Sequence, residues 1–151
     1  MITQIAISPL RVAQSKKKDF LINLNVFRNT HYRTLSTVKK NYTAHMMPQL
    51  KKFEGILEGE LVLTVFPKTR RKYDLDNICS VTTKFFQDAM VEAGIIPDDN
   101  MEYITKVTFL HGSVDKDNPR VEIEVISPET YNNTKEINKI LNKPIGDIPN
   151  V

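Results

Sequence analysis

The chain reads as an α+β fold in two layers, a mixed β-sheet carrying helices. Three observations predict it. Short runs with apolar residues at every second position lie at the start, middle and end. Two longer runs repeat apolar residues every three to four positions, and polar turn residues separate the segments. Met1–Ser8 and Phe20–Phe27 read as neighbouring strands across the Lys16-Lys17-Lys18 connection, the second with clean period-2 alternation. Arg28–Arg33 reads as a polar loop. Ser36 is placed to cap a helix reaching Lys52, with Val38, Tyr42, Met46, Leu50 and Phe53 as its apolar stripe.

Glu60–Phe66 is the next strand, ended by Pro67. Asp76 or Asn77 caps a second helix that runs to Ala93 and stops at Gly94, with Ile78, Val81, Phe85, Phe86, Ala89 and Met90 facing the core. Tyr103–Leu110 and Arg120–Ile126 form a terminal strand pair, joined through Gly112, Asp115, Asp117, Asn118 and Pro119. From Ser127 the composition shifts to Pro, Asn, Thr and Lys, with one short helical segment over Thr134–Leu141. Residues 127–151 therefore read as an extension beyond a domain of residues 1–126.

A length of 151 residues fits one core of ordinary size. Cys79 is the only cysteine, which excludes an intrachain disulfide and a thiolate zinc cluster and suits a reducing compartment. No apolar run approaches a membrane span and no secretory leader opens the chain, so the expected location is cytoplasmic. Small size without a targeting segment suits a phage or prophage gene.

The net charge of +3 hides a strong asymmetry. Residues 1–72 carry 14 Lys and Arg against 4 Asp and Glu, and residues 73–151 carry 7 against 14. A basic half can follow phosphates while an acidic cluster elsewhere holds metal, although both signs could equally be solvated faces interleaved in the fold.

The densest chemistry lies in Arg70-Arg71-Lys72-Tyr73-Asp74-Leu75-Asp76-Asn77, where two acids in D-x-D spacing follow three consecutive cations. Ile95-Ile96-Pro97-Asp98-Asp99 adds a second acidic pair. Carboxylates so spaced can hold a hard divalent cation such as Mg²⁺, and neighbouring cations can hold the phosphate on which it acts. Arg70, Arg71 and Lys72 are the leading phosphate contacts, and Arg28 and Arg33, with His31 and Tyr32, are further candidates to touch DNA. Metal-dependent cleavage of nucleic acid is the chemistry this indicates.

The order Asp74-Leu75-Asp76-Asn77, helix, Ala93-Gly94-Ile95-Ile96-Pro97-Asp98-Asp99, strand resembles the RusA family of Holliday junction resolvases, most closely over Arg70–Leu110. The resemblance implies a small homodimeric endonuclease that uses Mg²⁺ or Mn²⁺ to nick opposing strands of a four-way DNA junction during recombination and repair. It places catalytic or metal-binding carboxylates at Asp74, Asp76, Asp98 and Asp99, with Asp99 the catalytic member of the second pair. The family's essential lysine falls on Ser80 when counted forward from Asp76 and on Lys84 when counted backward from Asp98. Lys84 is the assignment adopted, with four extra residues between the acid motifs.

The helix between the acid pairs, of roughly 16 residues, spans about 24 Å. A two-fold dimer with these helices antiparallel would set the first pair of one subunit beside the second pair of the other. Two other readings stay open: a noncatalytic branched-DNA-binding or assembly module on the same fold, and a Mg²⁺-dependent enzyme acting on small phosphorylated substrates.

Overall fold

A computed structural model of the chain describes residues 1–132. Its order is β1 (Ile2–Ser8), β2 (Arg11–Ala13), β3 (Asp19–Leu21), α1 (Leu24–Arg28), α2 (Tyr32–Leu50), β4 (Gly59–Phe66), α3 (Leu75–Glu92), β5 (Ile104–His111) and β6 (Arg120–Ser127). Four strands form a mixed sheet in the order β1-β6-β4-β5, and β2 and β3 pair separately as a hairpin. The architecture is the expected α+β arrangement. Along β4 and β6 every second residue is buried, and Leu61, Leu63, Val65, Val121, Ile123 and Val125 present one apolar face to the helices.

Both long helices follow their apolar stripes. Val38, Tyr42, Met46 and Leu50 are buried on α2, with Phe53 packed at the margin just beyond it. On α3, Val81, Phe85, Phe86, Ala89 and Met90 are buried and Ile78 is half-buried. Gly94 takes φ 74°, the left-handed conformation that ends a helix at little cost only for glycine. Among the described residues, no helix is long and apolar enough to cross a membrane.

Several expectations are corrected. The alternating run Phe20–Phe27 is a strand only to Leu21, because the Asn23 side chain accepts the Val26 N–H at 2.8 Å and starts α1. The strand at Phe20 pairs with β2, whereas β1 lies at the sheet edge against β6. Arg28–Arg33 is not one loop, and Ser36 does not cap α2. Arg28 ends α1, and α2 begins at Tyr32, where His31 Nδ1 accepts the Arg33 N–H at 3.2 Å. β5 and β6 do not pair with each other but flank β4, β5 parallel and β6 antiparallel to it. The α3 crossover from β4 permits that parallel pairing. The short helical segment over Thr134–Leu141 lies outside the described residues.

Beyond Ile126 the chain stays on the domain as far as Tyr131, which exchanges backbone hydrogen bonds of 2.8 and 2.9 Å with Gly55. The free edge of β1 is also covered at Ile7. Gln49 on α2 accepts the Ile7 N–H at 2.7 Å and donates to its carbonyl at 2.8 Å, occupying groups that an edge strand otherwise offers to another chain.

Ser8 and Tyr42 meet where β1 crosses α2, both fully buried, with their hydroxyls 2.8 Å apart. Burial raises the Tyr42 phenol well above its ordinary range, so it stays protonated. Ser8→Ala strands that phenol and is expected to cost about 1–3 kcal/mol, whereas Tyr42→Phe leaves the serine its bond to the Pro9 carbonyl and costs about 1 kcal/mol. Urea unfolding of both single variants and the double variant checks this, with a double-variant loss below the sum as the expected result.

Candidate active site

The C-terminal end of β4 delivers the basic run, and the N-terminus of α3 delivers the first acids. Arg70, Arg71 and Lys72 are exposed on the connecting turn, where the Arg71 N–H reaches Thr69 Oγ1 at 3.3 Å. Together with Tyr73, Asp74 and His111 they line an open cleft of about 520 Å³. Asp74 also lines a second cleft of about 410 Å³ with Leu24, Asn25, Leu75, Asp76 and Asn77. Asp74 is therefore the residue at which the basic and acidic clefts join.

Asp74, and not Asp76 or Asn77 as the sequence suggested, occupies the N-cap position of α3, because the helix already begins at Leu75, yet it makes no side-chain cap bond. An N-cap aspartate ordinarily spends its carboxylate on the helix N–H groups. Asp76 sits in the first helical turn, also exposed. Among the described residues neither carboxylate enters an ion pair. Two hard, uncommitted oxygen donors in an open cleft are the donor chemistry that Mg²⁺ or Mn²⁺ prefers, so these residues fit such an ion.

The second pair lies elsewhere. After Gly94, buried Ile95 and Ile96 anchor the return, with the Ile95 N–H on the Met90 carbonyl at 2.9 Å and its own carbonyl accepting from Ile56 at 2.8 Å. Asp98 and Asp99 are exposed beyond that anchor. The Asp99 backbone N–H, 2.8 Å from Asp98 Oδ1, holds the Asp98 carboxyl below the usual range, helped by the Asn100 amide at 3.2 Å. Asp88 on α3 is pushed the other way, first by burial, with the nearby charge of Asp99 adding to it and Lys39, 3.8 Å away, opposing it.

Lys84 is exposed one turn before Asp88, its ammonium 5.6 Å from the centre of the Phe27 ring. Eight residues of helix separate it from Asp76, about 12 Å. Asp88, one turn further on, feels the charges of both Lys84 and Asp99, which sets Lys84 toward the second acid pair. Ser80, the forward-counted alternative, donates its hydroxyl to the Asp76 carbonyl within the helix. Among the described residues, no three His, Cys, Asp or Glu side chains gather as a metal-binding group. Within one chain, Asp74 and Asp76 are brought together and Asp98 and Asp99 are not brought to them.

Arg28 ends α1 and Arg33 lies in the first turn of α2, both exposed. Cys79 is buried on the core face of α3, and burial pushes its thiol up to about 12, so it remains an unreactive core thiol.

The contacts of several cleft residues escaped sequence reasoning. Tyr73 and His111 face each other edge-on, with Tyr73 Oη 3.1 Å from His111 Nδ1, bracing the residue before Asp74 against the end of β5. Their adjacency depends on β5 running parallel to β4. Asn77 accepts the Leu24 N–H at 3.2 Å and so fixes the start of α1 beside the acids, bringing Asn25 into their cleft. The two asparagines Asn23 and Asn25 were the available signal, masked by reading that run as strand.

Comparison with the curated proteins finds none that matches the chain. A family model does match, that of Endodeoxyribonuclease RusA, over residues 10–126. The match covers β2 through nearly all of β6, including both acid motifs and the basic turn. RusA nucleases act on branched DNA and resolve Holliday junctions in recombination. The acidic and basic clefts joined at Asp74 and the family match over most of the chain lead to one assignment: the protein belongs to the RusA endodeoxyribonuclease family.

Proposed function

We propose that the protein is a cytoplasmic, homodimeric resolvase that nicks four-way DNA junctions with Mg²⁺ or Mn²⁺ in recombination and repair. The observation that carries this is the placement of Asp74, an uncapped carboxylate between a cleft of exposed cations and a cleft of acids. Arg70, Arg71 and Lys72 hold the phosphodiester against that junction of clefts, and Asp74 and Asp76 hold the ion. When bound, the ion polarises the phosphate and helps to supply the attacking nucleophile.

The second pair comes from the partner subunit in this reading, because α3 holds the two ends apart in one chain. Asp99 then completes the carboxylate set across the two-fold axis, and Asp98, kept ionised by its backbone hydrogen bond, orients water or adds a ligand. Lys84, carried on the same part of the fold, offsets negative charge developing on the phosphate. The distance of Lys84 from Asp76 within one chain is the observation that favours the second reading, a noncatalytic branched-DNA module.

Asp76→Asn is expected to abolish nicking of a synthetic four-way junction while leaving binding intact or tighter, and EDTA is expected to abolish nicking by the unaltered protein. Nicking and gel-shift affinity on the same preparations check this. Full activity of the variant sinks the site assignment, and junction binding without nicking by the unaltered protein in Mg²⁺ or Mn²⁺ favours the noncatalytic module.

Arg70→Ala combined with Arg71→Ala is expected to flatten the salt dependence of DNA binding by about 0.9 in the log–log slope for each phosphate no longer neutralised. An unchanged slope removes these arginines from the interface.

The shared site makes complementation the expected result for two inactive proteins. When Asp76→Asn and Asp99→Asn chains carry different tags and the doubly tagged dimer is isolated, one of its two sites is fully intact. One strand of the junction is then nicked and paired incision remains impaired. If each site is built within one chain, the mixed dimer stays inactive.

A further inference from the structure

From the end of β3 to Phe53 the chain contains no acid: residues 20–53 hold six Lys and Arg and no Asp or Glu. α1 leads through this stretch from the acidic cleft, where Leu24 and Asn25 form part of the lining, to Arg28. Four residues later α2 opens on Tyr32, and that tyrosine is 69% exposed.

The ring is exposed but not loose. His31 stacks against it with ring centres 4.5 Å apart and 30° between planes, and the Arg33 guanidinium lies 5.9 Å from its centre. The His31 ring is itself fixed, because its Nδ1 accepts the Arg33 N–H to cap α2. In its neutral form that ring carries its proton on Nε2 and can donate to a phosphate. No packing requirement explains a large aromatic face here, since Tyr32 is absent from the core and from its half-buried margin. A pre-ordered aromatic surface with cations on either side in the chain suits a nucleic-acid base whose own stacking partner is missing.

We propose that Tyr32, held by His31 and Arg33, stacks on a base exposed at the branch point of the DNA and so distinguishes a junction from continuous duplex. This rests on the branched-DNA reading above and adds to it the source of selectivity. Cations such as Arg28 and Arg33 meet phosphates on any DNA and carry little information about branching. Base faces, by contrast, are covered throughout a paired duplex and become available where strands part.

The test measures affinity for a four-way junction and for a linear duplex of the same sequence at one salt concentration. The full chain is used in the Asp76→Asn background, so that binding is read without nicking. Tyr32→Ala is expected to weaken junction binding about tenfold while leaving duplex binding unchanged, and Tyr32→Phe is expected to keep the preference. Arg33→Gln is expected to weaken both substrates alike. Because Tyr32 is exposed, the variants should fold, and their thermal unfolding verifies it. Equal preference in Tyr32→Ala and in the protein with Tyr32 overturns the stacking inference alone. If the protein with Tyr32 does not distinguish junction from duplex, the branched-DNA reading fails and the inference falls with it.

Discussion

The ring of Phe85 is the contact on which the rest of the molecule depends. It lies on α3 and is 1% exposed, and it receives one aromatic ring from each of three other elements: Phe20 of β3 at 6.0 Å, Phe27 of α1 at 6.2 Å and Tyr42 of α2 at 5.5 Å between ring centres. Such pairs contribute about 0.5–1.5 kcal/mol each beyond the area they bury. The half-exposed Lys39–Asp88 ion pair between α2 and α3 contributes at most about 1 kcal/mol. Packing around one ring, rather than charge, therefore decides how α1 and α2 sit on α3. The acidic cleft follows from it, because α1 held at Phe27 starts where Asn77 can accept its first N–H.

Chain direction in the sheet does the remaining positioning. β4 and β5 run parallel with α3 between them, so both strands end on the same side. In sheets of this kind ligands gather beyond the carboxyl ends of the strands. The basic turn leaves β4 there, and His111 ends β5 beside it. The loop after β5 is tied to the same corner by the Gly112 N–H on the Val65 carbonyl at 2.7 Å and the Asp115 N–H on the Pro67 carbonyl at 2.8 Å. A side chain at Gly112 would meet the Phe66 ring and the Val65 carbonyl at 2.8 Å, so this close crossing requires glycine. Arg120 completes the corner by lying 4.3 Å from the centre of Phe66 while binding Asp115 and Glu122.

Elements governed by periodicity were legible in the residues, whereas those governed by a single side-chain hydrogen bond were not. The stripe from Val38 to Leu50 and the one from Val81 to Met90 mark their helices because burial selects apolar residues at helical spacing. The run Phe20–Phe27 alternates just as well, but one bond from Asn23 turns it into a helix after its second buried residue. His31 likewise starts α2 well ahead of Ser36, the residue whose chemistry ordinarily signals a cap. In the candidate site, adjacent residues such as Asp74 and Asp76 could be grouped from the chain alone. Tyr73 and His111 could not, since their meeting depends on strand direction, which local pattern does not encode.

The helix that unites the aromatic contacts also separates the acids. α3 runs for 18 residues, about 27 Å, with Asp76 in its first turn and Asp99 reaching only as far back as Asp88. Buried Ile95 and Ile96 pin the return segment, so bringing Asp99 to Asp76 within one chain would require pulling two large apolar side chains from the core. Each is worth roughly 1.5–3 kcal/mol by burial alone, an energy that a loop movement would have to recover at the site. In the proposed dimer a second subunit would avoid that cost by bringing its own acid pair without disturbing either core. The proposed shared site follows from this rigidity. In a two-fold assembly, the feature that keeps one chain from closing a site by itself yields two identical sites on a common scaffold, which suits a substrate with two strands to cut.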